Sequence, residues 1–109
     1  MTPGVTVSGN TVTVNLTIQP NLRPASGYLL IPEAKVFVIH LGNDQYRAFT
    51  SICTHEACDV DTFFMGRIRC PCHGSQYDFD GMVVDGPAPA PLRRFTSTLS
   101  GSTLSITKA

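Results

Sequence analysis

Two short segments, Cys53-Thr54-His55-Glu56-Ala57-Cys58 and Cys70-Pro71-Cys72-His73-Gly74-Ser75, decide how this sequence is interpreted. Each contains one Cys and one His at the spacing of metal ligands, together with a second Cys. A 2Fe-2S centre with two thiolates on one iron and two imidazoles on the other needs this ligand set. The two segments therefore predict an iron-sulfur electron carrier.

Zinc is the alternative metal, because two Cys and two His also satisfy a tetrahedral zinc site. Structural zinc sites usually begin with two Cys separated by a few residues, whereas here each segment supplies one Cys and one His. A further alternative treats the four Cys as two structural disulfides, for which three pairings exist. One Cys of each segment stands at ligand spacing from a His and the other does not, which favours the iron-sulfur interpretation.

The chain resembles the Rieske iron-sulfur domain, whose motifs C-x-H-x-x-C and C-x-C-H-x-S both occur here without a gap. The resemblance implies one 2Fe-2S cluster per chain, bound by Cys53, His55, Cys70 and His73. It extends to the Pro-rich segment 86–91, which is similar to the family's Pro loop. In the family that loop covers the cluster from one side.

The resemblance also implies a disulfide between Cys58 and Cys72 that ties the two segments together. It implies hydroxyl donors at Ser75 and Tyr77, which give hydrogen bonds to sulfur in high-potential members and favour the reduced state. The alternatives are that Ser75 only satisfies a turn and that Tyr77 only packs in the base. With the disulfide, these donors indicate the upper part of the range of roughly −150 to +300 mV that Rieske centres cover.

Position 56 departs from the most familiar first motif, which reads Cys-Thr-His-Leu-Gly-Cys. Glu56 stands where the family has Leu, and Ala57 stands where it has Gly. A carboxylate near the cluster would lower its potential and dock poorly in an apolar quinone site. The alternative is that Glu56 points to solvent. The substitution weakens the case for a quinol donor and leaves the predicted cluster unaffected.

The alternation of apolar and polar residues along the sequence predicts the fold. Val12, Val14, Leu16 and Ile18 alternate with polar residues, which is typical of a strand with one buried face. No stretch of a dozen residues has helical spacing, so we predict an all-β Rieske-type antiparallel sandwich or open barrel, with one short helical turn near Phe63. Further strands are predicted at 28–31, 34–41, 46–50, 76–79, 82–84, 95–99 and 103–106.

The 109 residues are long enough for one domain and too short for two. We predict a base formed by residues 1–51 and 85–109, into which a cluster-binding subdomain, 52–84, is inserted. Phe63, Phe64 and Met65 are expected to pack as core around the motifs. His40, far from either motif, is expected to be structural or exposed.

Charge and hydropathy exclude some partners. The formal net charge is zero and charged residues make up 15% of the chain, so nucleic acid and anionic membrane surfaces are poor candidates. No apolar run approaches the roughly 18 residues that span a bilayer, and the N-terminus lacks the pattern of a signal peptide. Whether an anchor or export signal precedes Met1 is left open.

The disulfide, if formed, indicates the periplasm or another oxidising space.

The leading hypothesis is a high-potential Rieske electron-transfer protein from a quinol:cytochrome c oxidoreductase-type assembly. Its partners would be a quinol-oxidising membrane subunit and a c-type cytochrome. The second hypothesis is the small subunit of a soluble oxidoreductase resembling arsenite oxidase, with the large subunit as partner. The third, a Rieske ferredoxin of a ring-hydroxylating dioxygenase, is disfavoured because such ferredoxins usually lack the disulfide pair and the hydroxyl donors. No catalysis is expected from the domain alone.

Overall fold

The computed structural model describes residues 2–54, 58–72 and 74–108. In these residues the chain forms strands and one short 3-10 helix, Pro20–Leu22. The strands are β1 (Val5–Ser8), β2 (Thr11–Asn15), β3 (Tyr28–Ile31), β4 (Val36–Gly42), β5 (Gln45–Thr50), β6 (Thr62–Phe64), β7 (Arg67–Arg69), β8 (Gln76–Asp78), β9 (Val83–Asp85), β10 (Arg94–Ser100) and β11 (Thr103–Thr107).

A seven-stranded antiparallel sheet has the order β1-β2-β11-β10-β5-β4-β3 and brings the two ends of the chain together. Its alternating side chains enclose a first core that includes Val12, Val14, Leu104 and Ile106. The predicted all-β antiparallel architecture is confirmed. No helix among the described residues is long and apolar enough to cross a membrane.

Strand β4 carries buried side chains on both of its faces, because successive residues of a strand point to opposite sides. Val36 and Val38 belong to the first core, whereas Phe37 and Ile39 belong to a second core. A run of β-branched and aromatic residues suits such a doubly covered strand. One strand therefore packs against both the first core and the layer that carries the two Cys/His motifs.

A four-stranded antiparallel sheet, β6-β7-β8-β9, forms that second layer. Phe63, Ile68 and Tyr77 lie side by side across β6, β7 and β8 and point inward. They pack in the second core with Phe37 and Phe49 of the large sheet. The separate hydrogen bonding of the two sheets supports the two-part division of the chain, which stays a proposal.

Strand β2 ends earlier than the alternating pattern predicts. The backbone N–H groups of Ile18 and Gln19 donate to the carbonyl of Asn15, and the Asn15 side chain accepts a bond from the N–H of Thr17. This Asn-initiated turn leaves Ile18 55% exposed. The expectation that Ile18 faces the core was therefore wrong.

The helical turn expected near Phe63 is absent, because the segment forms a β-hairpin. Met65 and Gly66 both have positive φ, which is the geometry of a two-residue hairpin turn. Phe63 is buried as expected, but Phe64 and Met65 are 62% and 82% exposed. The prediction that these two residues belong to the core was wrong.

His40 is a buried structural residue, in agreement with one of the two expectations for it. Its ring stacks on Tyr46 with 4.3 Å between ring centroids, and its Nδ1 lies 3.0 Å from the carbonyl oxygen of Pro24. These contacts attach the segment before β3 to the base.

Candidate metal centre

The two motifs form loops of the same design. We call residues 53–58 the first loop and 70–75 the second loop. In the first loop the N–H of Cys53 donates to the carbonyl of Cys58 at 2.8 Å, and in the second loop the N–H of Cys70 donates to the carbonyl of Ser75 at 2.9 Å. The leading Cys of each loop therefore has a backbone position fixed by the residue five places later.

A disulfide joins Cys58 of the first loop to Cys72 of the second. This is the pairing that the family resemblance implies. The bond ties the two loops to each other, so that each leading Cys is held relative to the other. The predicted disulfide between the two segments is confirmed.

The side chains of Cys53 and Cys70 are buried, with 4% and 2% of their surface exposed, in the second core. His55 and His73, the other two predicted ligands, lie outside the described residues, as do Glu56 and Ala57. The structure therefore describes two of the four predicted ligands. Within the described ranges no group of three or more His, Cys, Asp or Glu is placed to hold a metal ion.

Tyr77 reaches the first loop from β8. Its side chain is fully buried, and its hydroxyl oxygen lies 3.2 Å from the Sγ of Cys53. Burial raises the pKa of Tyr77, and the hydrogen bond with Cys53 raises this pKa further. The phenol therefore keeps its proton at neutral pH and acts as a donor toward a sulfur that carries negative charge.

Ser75 presents an unsatisfied hydroxyl. The residue is 1% exposed, and its Oγ has no hydrogen-bond partner in the part of the chain that the structure describes. Buried hydroxyls normally have a partner, because leaving one unpaired costs free energy. An acceptor sulfur between the two loops would satisfy it, so the described residues fit an iron-sulfur cluster at this place.

Thr54 connects the first loop to the Pro loop and was not identified from the sequence. Its Oγ1 donates to the carbonyl oxygen of Ala90 at 2.6 Å and lies 3.0 Å from the hydroxyl of Tyr77. Its backbone N–H donates to the same Tyr77 oxygen at 3.2 Å. Nothing in the local sequence indicates this contact, because Thr54 and Ala90 are 36 positions apart.

Gly86 brings the start of the Pro loop against the second loop. A Cβ at this position would lie 2.6 Å from the Cα of Ser75 and 2.9 Å from its nitrogen. Its φ of +85° is also one that glycine adopts most readily. The absence of a side chain at this residue therefore permits the close approach of the two segments.

Comparison with known proteins identifies the same family that the two motifs indicate. A family model described as the Rieske [2Fe-2S] domain matches residues 8–96. The cytochrome b6-f complex iron-sulfur subunit of Chlorobaculum thiosulfatiphilum is 34% identical over 82 residues, covering 71% of this chain and 42% of that protein. The ubiquinol-cytochrome c reductase iron-sulfur subunit of Bradyrhizobium diazoefficiens is 40% identical over 68 residues, covering 56% and 36%. The chain spans less than half the length of these relatives.

Solved structures share the fold over nearly the whole chain. A cyanobacterial plasma membrane Rieske protein from Synechocystis PCC 6803 superposes with a TM-score of 0.66 at 26% identity, covering 98% of this chain and 99% of that chain. The ferredoxin of carbazole 1,9a-dioxygenase from Nocardioides aromaticivorans IC177 superposes with a TM-score of 0.69 at 19% identity, covering 100% of both chains. The second likeness shows the fold alone.

Proposed function

Because the chain belongs to the Rieske [2Fe-2S] domain family, we propose that Cys53, His55, Cys70 and His73 hold its 2Fe-2S cluster and that the chain is a high-potential electron carrier. The burial of both leading Cys and the disulfide that links their loops support this ligand set. When bound, the cluster supplies one-electron redox chemistry. Its two neutral imidazole ligands make an added electron easier to accept than four thiolates would.

The contact between the Tyr77 hydroxyl and the Cys53 sulfur, 3.2 Å long, is the observation that carries the high-potential assignment. A donor to sulfur stabilises the more negative, reduced state and therefore raises the potential. Ser75 would add a second donor from the other loop, because its buried hydroxyl has no partner among the described residues. The Cys58–Cys72 disulfide keeps both loops in place around these donors.

The assembly we propose is of the quinol:cytochrome c oxidoreductase type. Relatives that share 34% and 40% of aligned residues are named as iron-sulfur subunits of cytochrome complexes, which supports this assignment. The partners would be a quinol-oxidising membrane subunit and a c-type cytochrome. The disulfide supports a location in the periplasm or another oxidising space, because cytosolic thiol buffers reduce such bonds.

A second candidate is the small subunit of a soluble oxidoreductase, in which the cluster faces a large protein subunit. Glu56 is the observation that favours it, because a carboxylate suits a protein partner better than an apolar quinone site. Glu56 lies outside the described residues, so this argument rests on the sequence alone.

Reduction by a mild donor tests the high-potential assignment. We expect ascorbate or a soluble hydroquinone to bleach the visible absorption of the oxidised holoprotein under anaerobic conditions. If only dithionite bleached the protein, its potential would be that of a low-potential ferredoxin and the assignment would be wrong.

The Tyr77→Phe variant tests the residue that carries the assignment. We expect the midpoint potential to fall by on the order of 50 mV, because one hydrogen bond contributes about 1 kcal/mol and a tenfold change in a one-electron equilibrium corresponds to about 59 mV. Tyr46→Phe is the matched control, since it removes a buried hydroxyl that donates to Leu22 in the base. Equal potentials for wild type and Tyr77→Phe would contradict the donor role.

A further inference from the structure

The hydroxyl of Thr54 has only one proton, and the structure fixes where that proton goes. The Ala90 carbonyl oxygen, 2.6 Å from Thr54 Oγ1, can only accept a hydrogen bond. Thr54 must therefore be the donor in that bond. Its oxygen then has lone pairs left, but no proton for any other partner.

The remaining contact of Thr54 Oγ1 is with the Tyr77 hydroxyl, at 3.0 Å. Because the proton of Thr54 is already used, this contact is a hydrogen bond only if Tyr77 is the donor. The oxygen of Tyr77 meanwhile accepts the backbone N–H of Thr54 at 3.2 Å, where the N–H can act only as donor. The directions of these bonds thus follow from counting protons.

Tyr77 also has one proton, and two acceptors lie within reach of it. Cys53 Sγ lies 3.2 Å from the phenol oxygen, and Thr54 Oγ1 lies 3.0 Å from it. A proton shared between two acceptors makes a weaker bond to each than a proton given to one. The threonine is therefore a competitor of the sulfur.

We propose that Thr54 is a positioning residue that diverts the Tyr77 proton from Cys53 and so holds the cluster potential below the value that the Tyr77 donor alone would produce. This inference rests on the proposed function, because its effect on potential requires a cluster bound through Cys53. The diversion depends on the Pro loop, since the Ala90 carbonyl is the group that occupies the Thr54 proton. A partner that moved Ala90 away would free that proton for the Tyr77 oxygen and direct the Tyr77 proton to sulfur.

The test is a redox titration of the holoprotein with Thr54→Val, which keeps the shape of the side chain and removes its hydroxyl. We expect the midpoint potential to shift upward, opposite in sign to the shift in Tyr77→Phe. Thr54→Ser keeps the hydroxyl and should stay near the wild-type potential. Thr54→Ala is a second variant without the hydroxyl, in case Thr54→Val does not retain its cluster.

The double variant separates proton diversion from a merely structural role. Losing the Ala90 bond could loosen the Pro loop and change the potential through solvent access, and that effect would persist without the tyrosine hydroxyl. We therefore expect the upward shift to disappear when Thr54→Val is introduced into Tyr77→Phe. A similar shift in both backgrounds, or no upward shift in the wild-type background, would overturn the inference.

Iron and inorganic sulfide analysis of the wild type distinguishes a failure of the proposed function from a failure of this inference alone. A wild-type chain without a 2Fe-2S cluster would overturn both the proposed function and this inference. A wild-type chain with a cluster that ascorbate reduces, combined with an unchanged or lower potential in both Thr54 variants without the hydroxyl, would overturn this inference alone.

Discussion

Single hydroxyl groups around the two loops differ in what they do for the fold and for the metal centre. Ser75 and Ser51 are both buried serines near the loops. Ser51 Oγ donates to the Asp59 carboxylate at 2.7 Å, whereas Ser75 Oγ has no partner among the described residues. Within the described structure, the hydroxyl of Ser51 stabilises the fold and that of Ser75 does not. Alanine variants of Ser51 and Ser75 can therefore distinguish a hydroxyl that stabilises the fold from one that donates to a cluster.

Ser75→Ala is expected to lower the midpoint potential without lowering the thermal unfolding midpoint of the cluster-free chain. The hydroxyl that it removes would donate to cluster sulfur, and it has no hydrogen-bond partner among the described residues. Leaving a buried hydroxyl unpaired costs about 1–3 kcal/mol, so its removal is not expected to destabilise the fold. A redox titration and a thermal melt measure the two effects.

Ser51→Ala is the comparison for that variant. It removes a hydrogen bond to a carboxylate, so we expect it to lower the free energy of unfolding by about 1.5–3 kcal/mol. Its effect on the potential should be smaller than that of Ser75→Ala. If Ser75→Ala melted at a lower temperature than wild type and kept the wild-type potential, the hydroxyl would have a structural partner and the donor role would be wrong.

At the scale of elements, the disulfide is the connection between the first and second loops. It joins residues 14 positions apart, and closing a loop of that length stabilises a folded chain by about 3 kcal/mol in the chain-entropy model. Cys58→Ser combined with Cys72→Ser is expected to lose about this much free energy of unfolding, measured in urea. We also expect the double variant to retain less iron. Unchanged stability and unchanged iron content would show that the loops hold together without the bond.

The Pro loop is a second segment that contacts the two loops. A substitution at Gly86 tests how closely it must pack against the second loop. Gly86→Ala and Gly101→Ala both introduce a side chain at positive φ, which costs about 1–2 kcal/mol. Only the Cβ at position 86 would also meet backbone atoms, those of Ser75, whereas nothing lies within 4 Å at position 101. We expect Gly86→Ala to lose more stability and more iron than Gly101→Ala. Equal losses would mean that the close approach is not required.

The strands were predicted well where the alternation of apolar and polar residues determines them. β3 is found at the predicted residues 28–31, β5 and β11 differ from prediction by one residue at one end, and β10 is longer than predicted by one residue at each end. The errors at Ile18 and Phe64 occur where backbone turns decide instead. The Asn15 turn ends β2, and the positive φ of Met65 allows a hairpin turn without the usual Asn-Gly signal. Hydrophobicity alone could not reveal either turn.

For the metal centre, the motifs predicted which residues would act at the cluster, and they could not predict the contacts that hold those residues in place. The disulfide was implied by the resemblance and is present, whereas the contact of Thr54 with Ala90 and the close approach of Gly86 to Ser75 were missed. Both act on segments distant in sequence, so their roles exist only in the folded chain. A tertiary contact of this kind has no local signal.

At the scale of the whole molecule, the small sheet packs against the large sheet through the second core. β4 gives Val36 and Val38 to one core and Phe37 and Ile39 to the other, so the two layers share one strand. Tyr77 lies in the second core and reaches the first loop directly from it. The position of the Tyr77 hydroxyl is therefore set by the packing of the second core, and not by the loops alone.

The most direct test of the central claim, that two Cys and two His hold a 2Fe-2S cluster, is pulsed electron paramagnetic resonance of the reduced holoprotein. We predict a signal from the reduced cluster with hyperfine coupling to the nitrogens of two imidazole ligands, identified as histidine by ¹⁵N labelling and expected to be His55 and His73. A signal without histidine nitrogen coupling, or a zinc-loaded protein without any signal, would contradict the claim.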